Sequence, residues 1–371
     1  MPSRLRSALD ARIAKTRDPV HNACLRAERA TLLARQGHLD EARAELAIIH
    51  SRYDGRPNAV VSAWVSLAEG LVAFYGDFST SAREKMLRAL ALSSAVGDKS
   101  VRVLSAAWLA HMNYLEQDFE PMVRNLSLAL TEAPPGDDTA RARACLVMAQ
   151  GYHWANRFEL AQPWYGKARQ HATNEGDETM LSALMHNMAW LHASQARRLA
   201  VSGATNREEL RRVLLGAEST GHFDQRVGTA SLRSLVPILR AHVLTLLDRY
   251  ADALELFEAH LDSALAEGLG RIQCGMLAEI AWCRVNDGDL AGARRDALSV
   301  QGQIVESVQP DERAAAHGRL VQVFNALNDQ AAAEHHCARA DASWELHTQR
   351  QLRLITLLSQ TAGMVGVGAG A

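Results

Sequence analysis

The 371-residue sequence predicts an all-α fold built from antiparallel helix pairs, and three observations predict it. Small residues recur at a nearly constant interval: Ala42, Ala82, Met122, Ala161, Ala253, Ala293 and Ala333 stand 40, 40, 39, 92, 40 and 40 residues apart. A turn signal of Gly, Asp or Asn precedes each, in RQGHLDEA, YGDFSTSA, EQDFEPM, ANRFELA, LDRYADA, NDGDLAGA and LNDQAAA. Helix formers dominate between the turns, with nine Pro in the chain and no alternating run of β-branched and aromatic residues to suggest a strand.

Taken in order, residues 1–18 predict an N-terminal helix, near Ser3 to Lys15. Four repeats follow over 19–176, then an irregular fifth over 177–222 with an insertion near 202–205. That insertion explains the interval of 92, with helices expected over Glu178 to Val201 and Asn206 to Glu218. Repeats six to eight occupy 223–340, a C-terminal helix 341–361 and a flexible tail 362–371. Within each repeat a second small residue stands about twelve positions earlier: Ala30, Gly70, Ala110, Ala149, Ala189, Ala241, Ala281 and, less fittingly, Val321. Two antiparallel helices approach closely only where small side chains meet. Ala30, Ala42, Gly70, Ala82, Ala149, Ala161, Ala241, Ala253, Ala281, Ala293 and Ala333 are therefore expected at the crossings. Met122 and Val321 are expected to loosen theirs. Gly or Asn in the turns can take a left-handed C-cap, and Asp can cap the next helix.

The clearest repeat, Arg141 to Ala172, carries Ala149, Tyr152, the turn Asn156-Arg157-Phe158, Ala161, Tyr165 and Ala168. It resembles a tetratricopeptide repeat (TPR). The interval exceeds the family's usual length of about 34 residues, so helices about a turn longer are expected. The resemblance implies a right-handed superhelical solenoid of about eight pairs, whose first helices line a concave groove for partners. Repeats of roughly 40 residues with Gly-Asp joints also resemble the arrays of bacterial sensory and regulatory proteins, such as those attached to diguanylate cyclases and transcription regulators. The family's clamp for a terminal carboxylate is not matched: Ala27, Glu28, Thr31, Leu67 and Leu71 stand where it would lie.

Composition and motifs argue against several functions. A net charge of −2 gives no basic excess for a polyanion, so no nucleic-acid partner is expected. There is no H-E-x-x-H, no G-x-x-x-x-G-K, no G-x-S-x-G and no Cys-x-x-Cys, so no enzyme activity, cofactor or metal is expected. Gly366 to Gly370 resembles a dinucleotide fingerprint only superficially, because it follows no strand and opens no helix. His335-His336-Cys337 are adjacent on a helix and point about 100° apart, which does not suit a shared metal ion. Cys337 is expected in the core beside a solvated His pair. The five scattered Cys suit reduced thiols, the N-terminus shows no secretory h-region, and Leu354 to Ala371 is too rich in Gly for a membrane span. A cytoplasmic, non-membrane protein is expected.

Projecting the first helices onto a groove places Trp64, Phe74, His111, Tyr114, Gln150, His153, Trp154, His186, Asn187, Trp190, His242 and Trp282 along it. That lining is aromatic and neutral, with few fixed charges. The alternative is that the aromatics are ordinary packing, as Trp108, Trp164 and His192 are on other faces. The function expected is a non-catalytic protein- or peptide-binding scaffold or regulatory module. The alternative is the sensory ligand-binding region of a signalling protein whose output domain is absent from this chain. Leu354, Ile355, Leu357 and Leu358 leave an apolar helix end, for which a contact with a second copy of the chain, as a homodimer, or with an absent output domain is expected.

Overall fold

The computed structural model describes residues 3–77, 80–201, 206–229 and 231–366. The expected insertion at 202–205 and the tail beyond residue 366 lie outside them. Seventeen α-helices run α1 Arg4–Lys15, α2 Pro19–Arg35, α3 Leu39–Tyr53, α4 Ala59–Asp77, α5 Thr80–Val96, α6 Lys99–Glu116, α7 Phe119–Glu132, α8 Asp138–Trp154 and α9 Phe158–Glu175. They continue with α10 Glu178–Val201, α11 Arg207–Val227, α12 Leu235–Leu246, α13 Tyr250–Ala266, α14 Gln273–Asp287, α15 Leu290–Gln303, α16 Pro310–Ala326 and α17 Gln330–Met364. A short 3-10 turn, Leu269–Ile272, precedes α14, and no strand occurs among the described residues.

Helices pair in sequence, α2 with α3, α4 with α5, α6 with α7, α8 with α9, α12 with α13 and α14 with α15, and α16 meets α17 through His317 and His336. First helices also stack on first helices, α2 on α4 and α6 on α8, then α12 and α16 on α14. The crossings follow from the small residues. Ala30, Ala42, Ala149, Ala161, Ala241, Ala253, Ala281 and Ala293 have no exposed surface, and Ala82 and Ala333 almost none. At Gly70 a Cβ would lie 3.0 Å from Met86 Cε and 3.3 Å from the Ala82 carbonyl, so α4 and α5 touch through a residue without a side chain.

Two expectations about the crossings change. Met122 is wholly buried and opens nothing. In the eighth pair the register shifts. Val321 is only half-buried, and the contact is made by His317 and His336, whose Nδ1 atoms lie 2.9 Å apart, with Phe324 stacked on His336. His336 is therefore in the core and Cys337 is exposed, the reverse of the expectation, because after Ala333 the next buried position of α17 comes three residues on and not four.

Within the pairs, the turns hold a left-handed residue at Gly37, Gln117, Asn156, Asp248, Gly288 and Asn328. Gly37 and Gly288 adopt it at no steric cost, and Asn and Asp tolerate it. In the third pair Gln117, not the neighbouring Asp118, takes this conformation. Between pairs, Asp98 and Asp137 accept backbone N–H groups at the starts of α6 and α8. Their side-chain oxygens satisfy donors that a helix start leaves unpaired.

The chain divides into two compact units. The first holds residues up to Met185, Phe223–Ser231 and the chain from Leu354; the second holds His186–His222 and Leu232–Arg353. In the first, Leu67, Leu71, Trp108 and Leu109 lie in one apolar core with Leu33 and Met86. Helix α4 is apolar enough over Ala59–Gly76 to cross a membrane by length and composition, yet half of that stretch is buried in this core. In the second, Phe257, Met276 and Cys283 form one cluster and Val300, Leu320 and Phe324 another.

The end of the chain differs from expectation. No break separates an eighth repeat from a C-terminal helix: α17 is continuous over 35 residues. Leu354 and Leu358 have no exposed surface and Leu357 little. Leu358 Cδ1 would lie 2.9 Å from a Cβ at Gly151 of α8, within the first unit. The leucine end is covered by its own chain, which removes the ground for a homodimer through it.

Candidate functional site

Buried charge marks out the first helices. Among the described residues, Arg35, Arg143, Asp177, Arg197, Glu279, Glu312, Arg313 and Arg319 are buried on first helices or their caps, whereas on second helices the buried carboxylate is Glu45 and no Arg or Lys is buried. Burying a charge is costly unless it is paired and hydrogen-bonded. Its concentration on the first helices α2, α8, α10, α14 and α16 therefore needs a reason beyond packing.

In the first unit, Arg35 ends α2 and Asp177 caps α10. Arg35 Nη2 donates to both Asp177 oxygens at 2.5 Å, and Asp177 Oδ1 also accepts the Met180 N–H at 2.9 Å. Gln36 donates to Ser3 and Thr179, and the Leu5 N–H to the Gly176 carbonyl, so three segments distant in sequence are fastened there. Beside them lies an aromatic group from α4 and α6. Trp108 meets Phe74, Tyr75 and His111 edge-on, at centroid distances of 5.8, 6.0 and 5.7 Å. Arg143 of α8 covers the Trp108 ring at 3.9 Å, with Tyr75 close enough to act on its charge. Burial, with Arg35 adding like charge, pulls Arg143 down to about 10.

A cavity of about 310 Å³ opens in the same unit. Leu5, Leu9, Trp64 and Leu104 form apolar walls, and Glu28, Asp137, Asp138 and Glu175 face Arg12 and Arg35. Burial raises Glu28 to about 7, with Glu175 and Asp137 adding to the shift and Arg12 opposing it. Glu175 and Asp137 are raised for the same reason.

In the second unit a chain of charges crosses α10, α14 and α16. Arg197 Nε donates to Glu279 at 3.4 Å, and Arg319 Nη2 reaches the same carboxylate at 2.9 Å. Arg319 also donates to Gln322 at 2.5 Å and lies over the Trp282 ring at 5.6 Å. Gly275 makes room for the group: a Cβ there would lie 2.6 Å from Glu312 Oε2 and 3.0 Å from Arg197 Nη2. His242 sits between Trp190 and Phe257, with neither ring nitrogen hydrogen-bonded. Burial, reinforced by Arg197 and Arg319, holds it well below the usual histidine range, so it is neutral.

No protein-family model and no curated protein matches the chain. Among solved structures it is similar to the Rap protein complexed with competence and sporulation factor, at 10% identity and a TM-score of 0.57, over 90% of this chain and all of the other. At that identity the likeness speaks for the fold. The fold is a tetratricopeptide-like helical array.

On this TPR-like array the residues expected in a groove separate into two kinds. Trp64, Tyr114, Trp154, His186, Asn187, Trp190 and Trp282 are half-buried on first helices. Phe74, His111, Gln150, His153 and His242 are buried. His153 is not a lining residue: it is turned into its own pair, with Nδ1 3.0 Å from the Tyr165 hydroxyl and its ring against Phe158. Trp154 packs on Phe119 of the preceding pair. Trp108, expected on another face, is the hub of the aromatic group. The buried charges were missed: Arg35, Arg143 and Asp177 in the first unit, and Arg197, Glu279 and Arg319 in the second. No local spacing flags Arg143 or Arg319, because the rings they cover, Trp108 and Trp282, lie on the preceding first helix. Cys24, Cys145 and Cys283 are raised to about 12 by burial, so they are poor nucleophiles at neutral pH.

Proposed function

We propose that the chain is a non-catalytic, peptide-binding scaffold of regulatory type, holding an extended peptide along the stacked first helices of its second unit. The observation that carries this reading is the concentration of buried charge on first helices, alongside half-buried Trp190 and Trp282 in the second unit. Tryptophan supplies a large contact area with a polar handle, and arginine forks fix orientation, the two residue types that dominate binding surfaces. The Rap protein of the matched structure, complexed with competence and sporulation factor, has the same fold and supports a peptide over a bulky substrate. Four of the five cysteines are buried thiols, which suits a reducing, cytoplasmic setting.

The test is fluorescence anisotropy with labelled random pentapeptide pools, comparing the native protein with Trp282→Ala and with a control on the outer face, Leu298→Ala. Saturable binding weakened about tenfold or more by Trp282→Ala, with the control unchanged, is expected. Absence of binding by the native protein, or equal binding by all three, refutes the reading.

A further inference from the structure

The cavity of the first unit holds charges that the fold leaves unbalanced. Of its four carboxylates, Asp138 is bound by His171 Nδ1 at 2.5 Å, and Asp137 accepts the Ala140 N–H at the start of α8. Glu28 has Arg12 at 3.7 Å, too far for a hydrogen bond, and that arginine side chain is 51% exposed. Nothing bonded offsets Glu175: burial and the charges of Asp138, Asp177 and Asp137 raise it, and Arg12 alone opposes them. Arg35 does not help, because it is held by both oxygens of Asp177. Glu28, Asp137 and Glu175 are thus left facing Arg12, a surplus of negative charge inside the cavity.

Two further features of the walls point to an occupant. The carboxylates stand among Leu5, Leu9, Leu104 and Trp64, so the surplus lies beside apolar and aromatic surface. Organic cations are held by that combination of charge and ring. A metal ion does not suit it, since no group of three or more His, Cys, Asp or Glu among the described residues is placed to hold one. Arg35 is the second feature. It lines the cavity, is 4% exposed, and keeps its Nε–H buried with no acceptor. A buried donor left unpaired is costly, and an oxygen inside the cavity would satisfy it.

We propose that this cavity binds a small amine that also carries an apolar body and a neutral oxygen. The ammonium lies between Glu28 and Glu175, the body against Trp64 and the leucines, and the oxygen accepts from Arg35 Nε. At about 310 Å³ the cavity is near the lower end of the ~300–1,000 Å³ range of ligand sites, which suits a molecule of about one residue. A free amine and the first residue of a peptide share this chemistry. The site belongs to the first unit and stands whether or not the second binds a peptide.

Calorimetric titration of the whole chain with five probes tests it. Leucinamide carries all three parts and is expected to bind saturably. N-acetylleucinamide lacks the charge, 3-methylbutylamine lacks the oxygen, and leucine brings a carboxylate into an acidic cavity; each should bind about tenfold more weakly or worse. Leucyl-alaninamide separates the sources: affinity kept identifies a peptide's first residue, and affinity lost identifies a free amine. Glu28 stands at about 7, so near neutral pH the arriving ammonium should expel its proton. Heats measured in phosphate and in Tris should differ accordingly for the native protein and agree for Glu28→Gln. Glu175→Gln should weaken leucinamide about tenfold without lowering the melting temperature, because an unpaired carboxylate has been removed. Absence of saturable leucinamide binding, or equal binding of N-acetylleucinamide, overturns the inference. Native affinity in Glu175→Gln, or a melting temperature lowered by several degrees in that variant, makes Glu175 a structural residue and also overturns it.

Discussion

The docking of the C-terminal helix on α8 can be tested by a pair of substitutions whose effects should not add. Leu358 has no exposed surface, and its Cδ1 and Cδ2 lie 2.9 and 3.6 Å from where a Cβ at Gly151 would be, with Leu354 Cδ2 at 3.8 Å. Leu358→Ala removes three carbons from a site whose opposite wall is a residue without a side chain. That wall cannot collapse inward, so a loss of about 3 kcal/mol is expected, inside the usual range of ~2–5 kcal/mol for such truncations. Gly151→Ala alone sets two effects against each other. Alanine stabilises the interior of α8 by up to about 1 kcal/mol. Its methyl presses on the tip of Leu358, which costs about 1–2 kcal/mol by overpacking. The net should be near zero or slightly destabilising. In the Leu358→Ala chain the clash has gone and the methyl enters the void, so Gly151→Ala should stabilise by about 1 kcal/mol or more. The cycle then gives a favourable coupling of about 1–2 kcal/mol, typical of residues in contact. Urea unfolding of the four proteins, with hydrogen exchange read in α8 and α17, measures it. Additivity within experimental error, or destabilisation by Gly151→Ala in both backgrounds, would show that α17 does not end on α8.

Three further outcomes are expected. Ala161→Leu should cost about 1–3 kcal/mol by overpacking the fourth crossing, read as faster hydrogen exchange in α8 and α9; a neutral result would mean that α8 and α9 do not meet at Ala161. Glu279→Gln removes the carboxylate that Arg197 and Arg319 share and leaves Arg319 buried without an ionic partner, and the second unit should lose about 3 kcal/mol or more in thermal unfolding; an unchanged melting temperature refutes the ion-pair chain. Burial lowers His317, His336 and His347 from 6.5 to about 4, so between those values the unfolded chain binds more protons than the folded one. Stability from these groups is complete above pH 6.5 and declines as the pH falls toward 4. His336→Leu should flatten the melting temperature's dependence on pH in that window, and a slope parallel to the native one counts against the burial.

The sequence made the pairs legible because their cause is local. Close approach of two helices needs a small residue, and reversal of the chain needs a turn, and both recur at the interval of the fold. The eighth pair misled because Ala333 kept the interval while His317 and His336 replaced the small contact, so that the buried position after Ala333 is His336 and not Cys337. The site was harder to read for a different reason. Arg35 and Asp177 are 142 residues apart, and nothing in the spacing of either says that they meet. Trp108 falls on a face that a regular helical projection assigns to packing, yet it carries Arg143. The leucines of α17 looked unpartnered because their partner, Gly151, contributes only the absence of a side chain.

The contact between Arg35 and Asp177 alters what kind of object the first unit is. A row of repeats that touch only their neighbours loses its ends first, since a terminal member is held from one side. Here the first pair is fastened to the start of the fifth by Arg35, by Gln36 and, through Leu5, by α1. The row has no loose N-terminal end from which to fray, and the four pairs should open together. The same link must be made across most of the unit's length, so it forms late. Its loop-closure entropy is set against contacts that earn nothing until the ends meet. Slow completion and collective opening are thus two faces of one salt bridge.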